Sequence, residues 1–350
     1  MRIVHFAPFA PCGCGLYEAA RDMIIADRNA GHNAQLVDSG ITRDGVHQLG
    51  VPGQIDNRGG TEIKTSEPIV AYYADLYVAH AGYIDQWIVQ TQKPIIWILH
   101  GRPAACFRPE QFGNGNSYSC LASIARWPRV KKVVTFWDYH IKFWEPAMPM
   151  NKLVCFDAPP IDEKRFSKEG EKHDFGIMGS KYNIMIAESW REDVDIYEIM
   201  HGMIELSKIR QDVKFHIYGM DKLYPCWEYL IGELKRYNAC GELWARRPNI
   251  EEIYRAADIL LSPQRIVTRT IGEALSCGTP VIAAHGCDLA TYTTKPDEPE
   301  MVAETIEHAI EDLIIDKELV KEKVKQSAQK LSLENYSISM NKLYEDIVNN

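Results

Sequence analysis

Ile250-Glu-Glu-Ile-Tyr-Arg-Ala-Ala-Asp-Ile-Leu-Leu-Ser-Pro263 and, a short turn later, Gly272-Glu-Ala-Leu-Ser-Cys-Gly-Thr-Pro-Val-Ile-Ala283 set the architecture of this chain. Ile250–Ala257 has the spacing of a short helix. Ile259–Ser262 and Val281–Ala284 are apolar runs of strand length. The turn between them carries Arg265, Thr268, Arg269 and Thr270 and leads into a further helical stretch. Strand, helix, strand is the repeating unit of a parallel sheet, whose strands must be joined by a crossover.

The same alternation continues in both directions. Upstream, Lys214–Tyr218 reads as a strand closed by Gly219, and Ile196, Ile199, Met200, Met203 and Ile204 share one helix face. Phe175–Met178 is predicted to be the strand that opens this half. Downstream, Val302, Ile306, Ala309, Ile310 and Leu313 form an amphipathic stripe, and Tyr336–Ile347 is helical in pattern. Between 157 and 172, Asp157-Ala-Pro-Pro160 must run extended before a charged segment, which marks a domain boundary. The first half repeats the scheme. Ile3–Phe6 is a strand, Pro11-Cys-Gly-Cys-Gly15 a glycine turn, and Tyr17–Asn29 a helix stopped by Gly31. Ala34–Val37, Leu76–Ala79, Ile95–Leu99 and Val133–Phe136 are further strands, and Tyr83–Gln90 suits a crossover helix. Residues 39–68 are rich in Gly, Pro, Asp and Asn and read as irregular. The expected fold class is α/β, with two Rossmann-like domains.

A chain of 350 residues with 46% hydrophobic content suits two α/β cores. No run reaches the roughly 18 apolar residues of a membrane span, and the N-terminus reads as a strand instead of a signal peptide. The nine cysteines include no CxxC pair, so neither a disulfide framework nor a zinc site is indicated and a reducing, cytoplasmic setting is expected. Net charge is −9, unevenly placed. Residues 1–150 hold 14 Lys and Arg against 13 Asp and Glu, and the other 200 hold 25 against 35. Within 100–135 six basic residues face Glu110 alone, which suits either a solvated face or an anionic acceptor.

Four local sequences carry a resemblance to the group 1 glycosyltransferases, glycosyltransferase family 4. They are Gly13–Gly31, Asp157-Ala-Pro-Pro-Ile-Asp-Glu-Lys-Arg-Phe166, Ile250–Pro263 and, most specific, Gly272–Ala283, which is similar to the Glu-Ala-x-x-x-Gly-x-Pro-Val donor motif. The resemblance implies the GT-B fold: an acceptor domain at 1–157, a nucleotide-sugar donor domain at 158–332, and an active site in the interdomain cleft. It also implies a C-terminal helix, 333–350, packing back on the first domain. Glu273 would hydrogen-bond the donor ribose. The family's second glutamate, eight positions earlier, is replaced by Arg265, which puts the sugar and the retaining mechanism in question.

Glycosyl transfer needs a diphosphate leaving group stabilised as charge develops, which cationic side chains and a helix N-terminus can supply without a metal. Arg265, Thr268, Arg269 and Thr270, with Gly272 allowing close approach, suit a pyrophosphate. The family's phosphate-directed Arg and Lys after the opening strand would correspond to Arg191 and Lys181. Gly13 and Gly15 let backbone N–H groups approach a phosphate or acceptor oxygen, and Arg102 belongs to the same acceptor-side loop set. His100 ends a strand, where open α/β sheets place ligands, and by the resemblance faces the sugar or the acceptor hydroxyl. Asp138, after another strand, is a candidate base if the enzyme inverts. His285 and Gly286 occupy a similar loop in the donor domain.

The expected activity is sugar transfer from a nucleoside-diphosphate sugar to a hydroxyl acceptor, retaining and metal-independent, with no cofactor beyond the donor. The acceptor could be a glycan, a lipid-linked precursor, a small molecule or a hydroxymethylated base in DNA. A non-catalytic nucleotide-sugar-binding scaffold, a nucleotide-sugar epimerase and an NAD-dependent oxidoreductase are the other readings left open.

Overall fold

The computed structural model describes residues 1–7, 15–38, 51–52, 74–80, 92–100, 118–136, 138–188, 196–220, 225–245 and 247–348. The chain divides into two domains, one made of Met1–Asp162 with Leu331–Asn350 and the other of Glu163–Lys330. The boundaries expected at 157 and 332 therefore fall at 162 and 330.

The first domain is built on a seven-stranded sheet. Its strands are β1 Arg2–Ala7, β2 Asn33–Asp38, β3 Val51–Pro52, β4 Leu76–His80, β5 Ile95–Ile98, β6 Val130–Phe136 and β7 Leu153–Phe156, in the order β3-β2-β1-β4-β5-β6-β7. All neighbours pair in parallel except β3, a two-residue antiparallel edge within the stretch expected to be irregular. β4 and β5 are buried along their whole length, as a parallel sheet covered on both faces requires. One face packs with α1 (Gly15–Asn29) and α10 (Leu333–Val348); the other meets α2 (Tyr118–Ala125) and α3 (Asp138–Trp144). In α10, Leu333, Tyr336, Met340, Leu343, Tyr344 and Ile347 recur at helical spacing and join the core that holds Tyr17, Ala20, Met23 and Ile24 of α1. A bridge between Ile161 and Ser332 brings the returning tail beside the end of the first segment.

The second domain has a six-stranded parallel sheet. Its elements are β8 Tyr182–Ala187, α4 Ile196–Ile209, β9 Val213–Tyr218, α5 Pro225–Arg236, β10 Cys240–Trp244, α6 Ile250–Ala256, β11 Ile259–Leu261, α7 Arg269–Ser276, β12 Val281–Ala284, β13 Tyr292–Thr294, α8 Pro299–Ile315 and α9 Lys317–Lys330. The strand order is β10-β9-β8-β11-β12-β13.

One strand assignment is corrected. Phe175–Met178 is not a strand: Gly176–Met178 is a turn of 3₁₀ helix, Gly176 has φ +50°, and Ile177 is fully exposed. The opening strand is Tyr182–Ala187, whose apolar run is interrupted by Asn183. The amide of Asn183 bonds the backbone of Ser180, and its backbone N–H donates to Asp258. Residues 39–50 and 53–68 of the expected irregular stretch lie outside the described residues, as does the predicted helix at Tyr83–Gln90.

Candidate functional site

In each sheet the chain lays strands to one side of its first strand and then to the other, so that connections diverge between that strand and one neighbour. Open α/β sheets take ligands at the carboxyl ends of the strands beside this switch point.

In the second domain the switch point lies between β8 and β11, and polar groups bridge it. Glu188, directly after β8, accepts hydrogen bonds from the Ser262 hydroxyl (2.7 Å) and the Gln264 amide (3.1 Å), both directly after β11. All three are buried. Gly219, at the end of β9, backs Glu188. It has φ +88°, and a Cβ there would lie 2.0 Å from the Glu188 carbonyl oxygen, so only glycine fits.

The turn after β11 leads into α7, whose N-cap is Thr268. The Thr268 and Thr270 hydroxyls are 2.9 Å apart. One turn further, Glu273 is 7% exposed. Its carboxylate pairs with Arg269 at 2.7 Å and accepts a hydrogen bond from the Tyr254 hydroxyl of α6 at 3.3 Å. Burial and the Glu273 charge together push the Tyr254 phenol well above its usual range, so it remains a donor. The glycine and threonine of the motif end the helix. Gly278 has φ +86° and its N–H bonds Leu275, while the N–H of Thr279 reaches back to Ala274, the double bond of a Schellman cap. The Thr279 hydroxyl donates to the Tyr254 carbonyl, tying α6 to α7.

The first domain's switch point lies between β1 and β4 and carries a different polar array. His5 of β1, His80 of β4 and His100 after β5 form a hydrogen-bonded row. His5 Nδ1 to His80 Nε2 is 3.0 Å, and His80 Nδ1 to His100 Nε2 is 2.9 Å. The inner end continues from His5 Nε2 to Asp27 of α1 at 2.8 Å, and Tyr344 of α10 donates to both Asp27 oxygens at 3.0 and 2.9 Å. Strand register explains the row. His5 lies opposite Val78, two residues before His80, and His80 lies opposite Ile98, two before His100. Each step crosses one strand and advances one same-face position, so all three rings share a face. Burial holds His100 at a pKa of about 4, against 6.5 for a free imidazole. It also pushes His80 well below the usual imidazole range, helped by the neighbouring rings of His100 and His5. Both are neutral at pH 7.

Of the residues singled out from sequence, the structure brings Arg269, Thr268, Thr270, Gly272 and Glu273 together at the start of α7, with Arg265 exposed on the turn before it. Arg269, expected as a phosphate fork, pairs with Glu273 and so also holds the motif carboxylate. Lys181 is corrected. It precedes β8, at the amino end of the strand, with its ammonium 5.1 Å from the Tyr182 ring centre, because the strand thought to come before it is a 3₁₀ turn. Arg191 lies outside the described residues, in the segment 189–195 that follows β8. Gly15 opens α1, and a Cβ there would meet nothing within 4 Å. Gly13 and Arg102 lie outside the described residues. Asp138 is the first residue of α3, but its side chain lies outside them too. His285 is exposed, beside Gly286 at φ +103°.

Sequence reasoning missed Glu188, His5, His80 and Asp27. The signal for the histidines was one in each of three strand segments, His5 within β1, His80 at the end of β4 and His100 after β5; for Glu188 it was hidden by the misplaced strand. Among the described residues no group of His, Cys, Asp and Glu is arranged to hold a metal ion, and no helix is long and apolar enough to cross a membrane.

Comparison with known proteins bears on this geometry. Residues 196–312, which include α7 and its motif, match the family of glycosyl transferases group 1. Solved structures extend the likeness in fold to the whole chain. Sucrose-phosphate synthase from Thermosynechococcus elongatus is 13% identical with a TM-score of 0.69, covering 99% of this chain and 98% of its own. The catalytic domain of starch synthase IV from Arabidopsis thaliana, bound to ADP and acarbose, is 11% identical with a TM-score of 0.65, covering 100% and 99%. An alpha-glucosyltransferase in complex with UDP and a 13-mer DNA containing an HMU base is 14% identical with a TM-score of 0.61, covering 100% of both chains. The fold is GT-B. No curated protein sequence matches the chain.

Proposed function

We propose that the chain is a glycosyltransferase that moves a sugar from a nucleoside-diphosphate sugar to a hydroxyl acceptor, with retention at the anomeric carbon and without a metal ion. The observation that carries the reading is Glu273, a buried carboxylate at the head of α7, fixed by Arg269 and Tyr254 within the segment that matches the family. A carboxylate so held accepts hydrogen bonds from ribose hydroxyls with little reorganisation. The diphosphate would meet the first-turn N–H groups of α7, the Thr268 and Thr270 hydroxyls, Arg265, and Arg191 from the segment after β8. With Arg265 where the family has a glutamate, the group facing the sugar is a cation, which suits an electron-rich or phosphate-bearing sugar substituent. His100, neutral at pH 7, would accept a hydrogen bond from a sugar or acceptor hydroxyl.

A thermal-shift screen against UDP, GDP, ADP, CMP, dTDP and NADH tests the donor site. A nucleotide at a hundred times its Kd should stabilise the folded chain by about 2.7 kcal/mol, and Glu273→Ala should abolish the effect. No shift with any nucleoside diphosphate would remove the reading; a shift with NADH alone would favour an oxidoreductase. The anomeric configuration of the product, read by NMR, decides retention.

A second reading concerns the acceptor. The basic segment at 100–135, whose described members Arg126 and Lys131 are exposed, suits an anionic acceptor, and one fold relative was solved with modified DNA. Sugar transfer to a duplex carrying hydroxymethylpyrimidine, compared with the unmodified duplex, tests it.

A further inference from the structure

We infer that His5 is a neutral ring beside Asp27, and that Asp27, His5 and His80 are positioning residues that fix the tautomer of His100, so that its other nitrogen, Nδ1, presents a lone pair and acts as a hydrogen-bond acceptor or base. The inference rests on the proposed role of His100 and deepens it.

A neutral imidazole has one N–H and one lone pair. In a row of neutral rings joined nitrogen to nitrogen, every N–H must therefore point the same way along the row. Which way is decided at the closed end. Tyr344 donates its hydroxyl to both oxygens of Asp27, and an ionised carboxylate can only accept. His5 consequently gives its Nε2–H to Asp27 at 2.8 Å. Its Nδ1 then accepts from Nε2–H of His80 at 3.0 Å, and Nδ1 of His80 accepts from Nε2–H of His100 at 2.9 Å. The one nitrogen left over is Nδ1 of His100, which has no hydrogen-bond partner among the described residues. His5, His80, Asp27 and Tyr344 are all at most 1% exposed, so water does not compete inside the row. The hydroxyl of Tyr336, also on α10, lies close enough to feel the Asp27 charge.

The same wiring disposes of a proton. When an acceptor hydroxyl gives its proton to His100 Nδ1, its oxygen uses the freed electron pair to bond the anomeric carbon, the bond from that carbon to the phosphate oxygen breaks, the nucleoside diphosphate leaves with that bond's electrons, and His100 becomes an imidazolium. The hydrogen bonds behind it, all pointing towards Asp27, stabilise that cation without any group having to move. The proton leaves again by the same nitrogen.

The test needs no substrate. In the full-length chain labelled with ¹⁵N-histidine, long-range proton–nitrogen correlation spectra at pH 7 distinguish an Nε2–H ring from an Nδ1–H ring. All three rings should be Nε2–H in the wild type. In Asp27→Asn, the Tyr344 hydroxyl keeps the amide oxygen, the amide NH₂ faces His5, and all three rings should reverse to Nδ1–H. Tyr344→Phe, which leaves the carboxylate in place, should keep the wild-type tautomers. An Nδ1–H ring at His100 in the wild type overturns the inference, even if no variant folds. Unchanged tautomers in a folded Asp27→Asn chain also overturn it. A structural role in packing would not move a tautomer. Activity that survives His100→Ala would instead remove the catalytic reading while leaving the tautomer result to stand or fall alone.

Discussion

The two switch points occupy the same place in two similar sheets and are built from different chemistry. Across β1, β4 and the end of β5 runs a row of three imidazoles, each able to donate or accept, tied to one buried carboxylate. Between β8 and β11 lies the carboxylate of Glu188, fixed by a hydroxyl and an amide that hold hydrogen to it. The first array can change its pattern by moving protons within rings that stay where they are. In the second, the Gln264 amide donates its N–H to Glu188, and Gly219 packs against the Glu188 backbone. One fold thus holds a hydrogen-bonded imidazole row in one domain and a fixed polar floor in the other, a division that suits the proposed acceptor chemistry and donor binding.

Acid should separate the two domains most. His100 and His140 in the first domain and His216 in the second are held near pKa 4 by burial, against 6.5 for the free side chain. Because the unfolded chain takes up these protons first, stability is complete above about pH 6.5 and falls as pH drops towards 4, by up to about 3 kcal/mol per histidine. The first domain also carries His80, shifted in the same direction. Segment-resolved hydrogen exchange between pH 7 and 4.5 should show the first domain losing protection ahead of the second. Simultaneous loss would break the comparison.

Gly219→Ala tests the rigidity of the second floor. It combines a positive φ with a Cβ 2.0 Å from the Glu188 carbonyl, and should cost about 3 kcal/mol in urea unfolding, confined to the second domain. The smallest effect sharpens the contrast. Glu188→Gln removes the charge that both donors serve, its NH₂ then donating to the Ser262 hydroxyl, and should cost about 2 kcal/mol, whereas Asp27→Asn, relieved by reversal of the row, should cost about 1 kcal/mol. Equal costs, measured by denaturant midpoints, would mean that the histidine row is as inflexible as the Glu188 site.

Much of the fold was legible in local pattern. β5, β11 and β12 are runs of buried apolar residues, β1, β4 and β9 are apolar runs that also carry histidines, and the stripe in α8 repeats at helical spacing. The error at Phe175–Met178 has a physical cause. A short apolar run beside glycines has no period to distinguish a strand from a 3₁₀ turn, and the true strand, Tyr182–Ala187, carries an asparagine on its second position. Of the candidate site, the motif at 272–283 and His100 could be picked out because each is contiguous or stands at a strand end. The partners of those residues could not. Arg269 reads equally well as a phosphate ligand or an ion-pair partner until its distance to Glu273 is known.

What the sequence determined by itself is whatever depends on neighbours along the chain: strand and helix period, the glycine cap of α7, the positions of the prolines between the domains, and the family motif. What only the tertiary structure decided is whatever depends on register between strands far apart in sequence. His5 and His80 are 75 residues apart, and Tyr344 lies 317 residues beyond Asp27. They meet because parallel pairing sets β1, β4 and β5 two residues out of step and α10 returns to cover α1. Hydrogen bonding acts over about 3 Å, and only that packing brings these groups within its reach.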